Sequence, residues 1–438
     1  MARNRLFKAL ENFDTSVIDK VFDGEDEGFV FDPAVDYAPI QRVAIFAEAF
    51  LPKVDGVTKS AYLTMRYLQE TGREVIIFAP DVAPTQIGPT RIVPLPSVGV
   101  PVAPETRIAL PAAVIRKELD DFKPDLIHLF SPVLMSISGL YEGRQRHIPV
   151  VANYQTDLPG YARKHYGMSL LAEPVNRWLR YIHNHSHINL VASQTVANNL
   201  REDGYRRLHI WRRGIDTHRF SPDNRSFAWR EKLLNGRDPN SLICVYVGRL
   251  AREKRIDLLL EVAKTPGVAL TIVGDGAARE ELEEMFAETN TYFTGYLYGE
   301  ELSHAYASAD VFVFPGPNET FGQVVQEGMA SGLPAVIINQ GGIVDLVEDG
   351  VNGFICNDNP LSFKEAVIKL RDNDILRKRM GYESRHRATR YPWPSIMREL
   401  EDYYIRAVEI NERLNRIYPP MPWLQRLTPM AFERLGSP

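Results

Sequence analysis

Residues 311–330 read VFVFPGPNETFGQVVQEGMA, which is a short apolar run, a polar loop and a helix that begins near Gly322. An unbroken apolar run followed at once by a helix is typical of a strand in a parallel sheet whose two faces are both covered. The N–H groups of Gly322 to Val325, at the positive end of that helix, can bind the oxygens of a diphosphate. Glu319 in the loop and Glu327 in the helix are eight positions apart, so both can face one ligand from different heights. The stretch therefore predicts an α/β fold with an anion site at the carboxyl end of this strand.

The same alternation of apolar run and helix occurs along most of the chain, in two series. The runs are Val43–Phe46, Val75–Ala79, Leu126–Phe130, Val150–Tyr154 and Ile188–Ala192 in the first series, and Leu242–Val247, Leu270–Val273, Val311–Phe314 and Ala335–Ile338 in the second. Such alternation indicates parallel sheets covered by helices. Two series in tandem predict two Rossmann-like, doubly wound α/β domains, with the carboxyl ends of both sheets facing a cleft.

The boundaries of these domains follow from changes in composition. Residues 1–40 are predicted to be an N-terminal extension with an acidic linker, and residues 41–213 the first Rossmann-like domain. The second Rossmann-like domain spans 214–395, because a polar stretch separates the two series of apolar runs. Residues 396–438 are predicted to form a C-terminal helix, over 401–415, and a tail.

The composition excludes several classes of protein. The chain has 438 residues, 45% hydrophobic and 24% charged, which is the balance of a folded globular protein with room for two domains. A net charge of −5 argues against a general nucleic-acid binder. Two cysteines, Cys244 and Cys356, cannot form a metal cluster or a disulfide framework. No apolar run approaches the roughly 20 residues of a transmembrane helix, and residues 1–10 lack a signal-peptide core, so we expect a cytoplasmic protein.

Two further loops carry residues suited to a phosphate. In the loop of residues 248–254, Arg249 can direct two hydrogen bonds onto a phosphate, and Lys254 adds a compact positive charge. In the loop of residues 48–58, Gly56 lets a phosphate approach the start of a helix closely. Alone, the Gly56 loop is a weak signal, and an ordinary exposed loop with two basic residues is the favoured interpretation of residues 248–254. The chain has no G-x-G-x-x-G fingerprint, which disfavours a nicotinamide-dependent dehydrogenase.

Taken together, these motifs resemble the family-four retaining glycosyltransferases of the GT-B fold, over residues 42–351. The resemblance rests on the two glutamates of 311–330, the Gly-Arg-Leu…Glu-Lys loop, Val273–Gly276, Phe293–Tyr296 and the glycine-rich stretch 341–353. In addition, Pro104–Pro111 and Trp211–Asp216 are similar to the branch that contains sulfoquinovosyl-diacylglycerol synthases and GDP-mannose-dependent mannosyltransferases.

The resemblance implies roles for individual residues around a nucleoside-diphosphate sugar. It implies that Arg249 and Lys254 neutralise the leaving diphosphate and that Glu319 contacts the donor sugar. The other implied donor contacts are Gly56 at the diphosphate, Glu327 at the ribose, Tyr296 and Leu297 beside the base, and the main chain of Gly322, Val324 and Val325. The implied activity is transfer of a hexose from a UDP-sugar or GDP-mannose to a hydroxyl acceptor, with retention and with no cofactor or metal ion.

One position departs from the family pattern. Members of the branch commonly read Tyr-His-Thr where this chain reads Tyr154-Gln155-Thr156-Asp157. Gln155, on the acceptor side, can hydrogen-bond a hydroxyl but cannot take a proton. The mechanism assigned to such enzymes uses the departing phosphate as the base, so activity can survive, and Asp157 is the alternative acid–base residue. A different acceptor, or a non-catalytic nucleotide-sugar-binding protein of the same fold, also fits. A sugar-nucleotide epimerase is disfavoured, because the first domain lacks the acid–base carboxylates it would need.

The resemblance makes residues 41–213 the acceptor side, and their excess of basic residues suits a lipid or glycolipid acceptor at the inner face of a membrane. The candidates for a membrane contact are Arg163, Lys164, Arg177 and Arg180, with Tyr161, Tyr166, Trp178 and Tyr181. An ordinary amphipathic helix over 172–185 explains the same pattern equally well.

An Asp372-Asn373-Asp374 triplet matches the metal-binding pattern of the other glycosyltransferase fold. It lies between two helical stretches, where Asp or Asn ordinarily serves as an N-cap. We therefore predict a cap there and no metal site.

Overall fold

The structure, a computed structural model, describes residues 36–53, 55–100, 103–160 and 169–417. The predicted N-terminal extension lies almost wholly outside these residues, and the predicted tail after residue 417 lies outside them entirely.

Two parallel sheets form the centre of the molecule. The strands of the first sheet are β1 (Arg42–Ala47), β2 (Glu74–Pro80), β3 (Gln86–Ile87), β4 (Thr90–Leu95), β7 (Leu126–Phe130), β8 (Val150–Tyr154), β9 (Ile188–Val191) and β10 (Leu208–Ile210). An antiparallel hairpin beside this sheet consists of β5 (Ser97–Val100) and β6 (Ala103–Ala109). The strands of the second sheet are β11 (Leu242–Val247), β12 (Val268–Val273), β13 (Thr291–Gly295), β14 (Val311–Phe314), β15 (Ala335–Ile338) and β16 (Gly353–Cys356). Their spatial orders are β10-β9-β8-β7-β1-β2-β4-β3 and β13-β12-β11-β14-β15-β16.

The apolar runs of both series are strands, and their side chains are buried because helices cover both faces of each sheet. The α-helices in the described part of the chain are α1 (Gly56–Glu70), α2 (Val114–Phe122), α3 (Ser136–Gln145), α4 (Ala172–His185), α5 (Gln194–Glu202), α6 (Phe227–Leu234), α7 (Leu260–Ala263), α8 (Arg279–Met285), α9 (Gly299–Ser308), α10 (Gln323–Ala330), α11 (Pro360–Asp372), α12 (Asp374–Ala388) and α13 (Trp393–Ile417). The prediction of two doubly wound α/β units is confirmed.

The last helix crosses back to the first sheet. Helix α13 begins at Trp393, eight residues before the predicted start, since a proline in the first helical turn is tolerated. Its Leu400 and Tyr404 are buried in the core of the first sheet. Glu401 forms a buried ion pair with Arg73 from the start of β2. The chain therefore builds most of the first unit, then the second sheet, and finally returns to pack on the first sheet.

The Asp372-Asn373-Asp374 triplet lies at the junction of α11 and α12. The side chain of Asn373 accepts a hydrogen bond from the Leu376 N–H at 2.9 Å, so the predicted cap is confirmed. Within the described part of the chain, no helix combines the length and the apolar character needed to cross a bilayer.

Candidate functional site

The carboxyl ends of the two sheets face each other, and loops from both sides are in contact. The Ser193 hydroxyl, after β9, donates to the Thr320 carbonyl at 2.8 Å. The Thr320 hydroxyl in turn donates to the Gln155 carbonyl, after β8, at 2.8 Å. Thr195 donates through its N–H and its hydroxyl to the Asp345 carboxylate, at 3.0 and 2.6 Å. The loop after β14 therefore lies directly against the loops after β8 and β9.

Lys254 and Glu319 form an ion pair at this edge of the second sheet. Lys254 ends a 3₁₀ turn after β11, and Glu319 lies in the loop after β14. These two strands are neighbours in the sheet, so the fold itself brings the two side chains together. Both are about one-fifth exposed, which leaves their outer faces open to a ligand.

Arg249 lies at the outer end of the same loop. Its guanidinium contacts the Glu253 carboxylate at 2.5 Å, and about half of its side chain is exposed. Arg249 and Lys254 lie on the same loop, but Arg249 is exposed to solvent whereas Lys254 is largely enclosed by the protein.

The start of α10 is shaped by Gly322. This residue is the N-cap, with φ of +89°, a conformation that favours glycine. A Cβ there would stand 2.3 Å from the Ile343 side chain, so no larger residue fits. The Val325 N–H donates to the Gly322 carbonyl at 3.0 Å and is already used within the turn. The predicted main-chain contact from Val325 is therefore already used within the protein, and those from Gly322 and Val324 stay predictions.

Glu327 is buried in the first turns of α10 and is partnered from both sheets. The Tyr306 hydroxyl donates to its Oε2 at 3.2 Å, and Lys59 of α1 places its Nζ 3.7 Å from Oε1. Burial raises the pKa of Glu327, while the positive charges of Lys59 and Arg219 oppose that rise. A carboxylate held in this way presents acceptor oxygens, as recognition of ribose hydroxyls requires.

Gly56 is the first residue of α1, at the opposite side of the cleft. Asp55 caps this helix by accepting hydrogen bonds from the Val57 and Thr58 N–H groups, at 3.0 and 2.9 Å. Those two N–H groups are therefore already used, which the sequence analysis did not foresee. The carbonyl of Gly56 accepts a hydrogen bond from the guanidinium of Arg213.

Gln155 and Asp157 lie beside the Thr320 loop but differ in their contacts. The Gln155 side chain is buried, and its Oε1 accepts no hydrogen bond within the described residues. The Asp157 carboxylate accepts from the Gly160 N–H at 2.9 Å and from the Tyr154 hydroxyl at 3.2 Å. Asp157 therefore holds a local turn, whereas the amide oxygen of Gln155 is buried without a hydrogen-bond partner among the described residues.

Tyr296 and Leu297 follow β13 at the far end of the same sheet edge. The Tyr296 hydroxyl donates to the Asp275 carbonyl at 3.0 Å, and Leu297 packs against the core of the second sheet. The side chains are thus fixed by the protein, and their role beside a base stays a prediction.

Three residues of the site were not predicted from the sequence: the cations Lys59 and Arg213, and Ser193, which anchors the Thr320 loop. Lys59 directly follows the loop of Gly56, and Arg213 lies within one of the motifs that carried the resemblance. Both could have been noticed by position, but their partners Glu327 and Gly56 are more than 150 residues away in sequence.

The predicted membrane patch is only partly described. Arg163, Lys164, Tyr161 and Tyr166 lie outside the described residues. On α4, Arg180 donates to the Asp203 carbonyl at 2.6 Å and Trp178 to the Val133 carbonyl at 2.6 Å, whereas Arg177 is well exposed beside Glu173. Tyr181 is also exposed.

Comparison with known proteins agrees with this architecture. The model "Glycosyltransferase Family 4" matches residues 54–219, and "Glycosyl transferases group 1" matches residues 228–387. A GDP-mannose-dependent alpha-mannosyltransferase of Mycobacterium tuberculosis is 37% identical over 83% of this chain and 96% of its own length. Sulfoquinovosyl transferase SQD2 of Arabidopsis thaliana is 32% identical over 93% of this chain and 82% of its own. The crystal structure of HepE from Anabaena, in complex with UDP and glucose, aligns with a TM-score of 0.67 at 16% identity, covering 83% of this chain and 99% of that one.

The two parallel sheets with facing carboxyl ends have the GT-B architecture, and the matching family models and relatives show that the protein is a glycosyltransferase of that fold. Within that class, the chain belongs to glycosyltransferase family 4.

Proposed function

We propose that this enzyme transfers a hexosyl group from a nucleoside-diphosphate sugar to a hydroxyl acceptor, with retention of anomeric configuration and without a metal ion. The observation that carries the proposal is the meeting of Lys254, Glu319 and the start of α10 at one sheet edge. It supplies a cation, a hydrogen-bond acceptor for sugar hydroxyls and a helix N-terminus within a single loop cluster.

In this reaction the bond between the sugar C1 and the diphosphate breaks, and negative charge grows on the departing phosphate. Arg249 and Lys254 neutralise that charge, which is the task a metal ion performs in other transferases. Because the ion pair with Glu319 holds Lys254 in place before the reaction, this side chain needs little reorganisation as charge develops.

The acceptor hydroxyl forms the new bond to C1 on the face that the diphosphate leaves. Its proton passes to an oxygen of the departing diphosphate. This route is supported by Gln155, whose amide can orient the hydroxyl but cannot accept its proton. Asp157 is a poorer choice of base, because its carboxylate already holds the turn of Gly160.

We propose GDP-mannose as the donor, on the strength of the mannosyltransferase relative, with a UDP-sugar as the alternative suggested by the sulfoquinovosyl transferase. Binding decides between them. A nucleoside diphosphate at 100 times its dissociation constant should stabilise the fold by about 2.7 kcal/mol, so a thermal-shift panel of GDP, UDP and ADP identifies the base.

The expected result is a shift with GDP, and then transfer of radiolabel from GDP-mannose to an acceptor or to water. A shift with UDP alone would identify a UDP-sugar as the donor in place of GDP-mannose. Binding without turnover of any donor would favour a non-catalytic nucleotide-sugar binder, and the absence of binding to all three nucleotides would contradict the proposal.

For the acceptor we propose a lipid or glycolipid. Helix α4 begins at the same sheet edge as the cleft, since helices follow strands at their carboxyl ends. Leu170 and Leu171, just before that helix, are 88% and 51% exposed, and Arg177, nearly two turns further along it, is exposed beside Glu173. An apolar pair beside a cation suits the surface of an anionic membrane.

The lipid proposal can be tested by co-sedimentation with phosphatidylglycerol vesicles. Replacing both leucines by serine should reduce vesicle binding at least tenfold while leaving nucleotide binding intact. Equal binding of the wild type and the double variant would overturn it.

A further inference from the structure

Arg213 lies in the segment that joins the two sheets, between β10 and α6. Its guanidinium donates to the Gly56 carbonyl on the first side of the cleft. Its own carbonyl accepts a hydrogen bond from the Gln326 amide of α10, on the second side, at 3.2 Å. The residue is therefore fixed from both sides, next to the two helix starts that face the cleft.

Arg213 is a buried cation that carboxylates influence from a distance and not through a direct ion pair among the described residues. The residue is 7% exposed, and within the described part of the chain it forms no ion pair. The two carboxylates that act on it electrostatically, Asp55 and Glu319, pair instead with Lys53 and Lys254. Burial lowers the pKa of Arg213 to about 10, so it stays a cation at neutral pH.

A buried cation that has nearby carboxylates but no direct ion pair is stabilised further when an anion binds to it. A guanidinium also presents several N–H groups in one plane, which matches the oxygens of a phosphate. The nitrogen Nη2 lies 3.9 Å from the position that a Cβ on Gly56 would occupy. That is the space through which the sequence analysis expected the diphosphate to approach.

We propose that Arg213 is a third cation of the donor site, binding a diphosphate oxygen beside Gly56 together with Lys254 and Arg249. The inference rests on the proposed function, because it presumes a nucleoside-diphosphate donor. It adds a contact from the segment between the sheets to the two cations of the loop after β11.

The test compares nucleoside diphosphate with nucleoside monophosphate binding. For the nucleotide that the wild type binds, dissociation constants of the diphosphate and the monophosphate are measured by calorimetry for the wild type, Arg213→Gln and Arg213→Lys. Loss of a hydrogen bond to a charged group predicts a roughly 10- to 100-fold weaker diphosphate complex for Arg213→Gln. The monophosphate should change much less, and Arg213→Lys should recover part of the loss.

The control is Arg212→Gln, since the neighbouring guanidinium lies over the Tyr391 ring, 5.1 Å from its centroid, and not within 4 Å of the Cβ position of Gly56. It should leave both constants unchanged. An equal loss for diphosphate and monophosphate in Arg213→Gln would show a merely structural role and overturn the inference, as would unchanged affinities. If Arg213→Gln does not fold, the ratio of the diphosphate to the monophosphate dissociation constant, measured on Arg213→Lys, tests the inference instead. A wild type that binds no nucleoside diphosphate would instead overturn the proposed function itself.

Discussion

Lys59 and Glu327 form an ion pair across the cleft, with Nζ 3.7 Å from Oε1. Lys59 belongs to the first helix of the first sheet, and Glu327 to the helix that follows β14 in the second. Both side chains are largely buried. The positive charge of Lys59, from the opposite side of the cleft, therefore favours the ionised form of Glu327, which we propose binds the ribose.

Replacing Lys59 by methionine should lower kcat/KM for the donor about tenfold or more. The lysine opposes the rise that burial imposes on the pKa of Glu327, so its loss favours the protonated acid, which is a weaker acceptor for ribose hydroxyls. The loss should grow as the pH falls, and steady-state kinetics at several pH values measures it. Arg66→Met is the matched control, because Arg66 lies on the same helix in an i,i+4 pair with Glu70. Unchanged donor kinetics in the Lys59 variant would contradict this role.

Glu319→Ala and Lys254→Ala should each reduce sugar transfer by about 10²- to 10³-fold, the usual effect of removing a preorganised group at a developing charge. Circular dichroism should show that the fold is intact. Arg252→Ala provides the comparison, since Arg252 lies in the same loop but is 83% exposed and points to Glu281. Near-wild-type rates in either cleft variant would refute the assignment.

Gly322→Ala should abolish donor binding and destabilise the protein, because the new methyl group would overlap Ile343. Gly236 distinguishes strain from a positive φ from strain caused by a close contact. It has a similar φ, +80°, but no heavy atom lies within 4 Å of its Cβ position. Gly236→Ala should therefore cost only about 1–2 kcal/mol of unfolding free energy and leave transfer unchanged. Equal behaviour of the two variants would show that the close approach at Gly322 is unimportant.

Glu48 should make stability depend on pH. Its carboxylate accepts from the Val133 and Ser136 N–H groups at 2.9 and 3.0 Å, and burial raises its pKa from 4.5 to about 7. The folded protein thus holds this proton more tightly than the unfolded chain does. The resulting stabilisation is complete below pH 4.5 and is lost as the pH rises through 7.

Glu48→Gln removes that dependence. Relative to the wild type, its unfolding free energy should rise by about 3 kcal/mol between pH 4.5 and 8, at roughly 1.4 kcal/mol per pKa unit. Urea denaturation at both pH values measures the difference. A constant difference between the two proteins would contradict the raised pKa.

The sequence predicted the centre of each sheet well. Central parallel strands such as β1, β7, β11 and β14 are buried on both faces and therefore appear as unbroken apolar runs. Strands at or beside the sheet edges, such as Gln86–Ile87 and Leu208–Ile210, were missed because they are too short to show a pattern.

The candidate site was predictable where its residues are close in sequence. Arg249 and Lys254 share one loop, and Glu319 and Glu327 lie in the loop and helix after β14, so the sequence alone pointed to these residues. The contacts of Lys59 with Glu327 and of Arg213 with Gly56 depend on how the two units pack, which no local pattern encodes. For the same reason the hydrogen bond from Thr320 to the Gln155 carbonyl had no signal in the sequence.

The most direct test of the whole account is a crystal structure of the protein with the nucleoside diphosphate that it binds. We expect diphosphate oxygens within hydrogen-bond reach of Arg249, Lys254 and the first turn of α10, between the two sheets. A diphosphate bound elsewhere, or bound between the sheets without contact to Arg249 and Lys254, would contradict it.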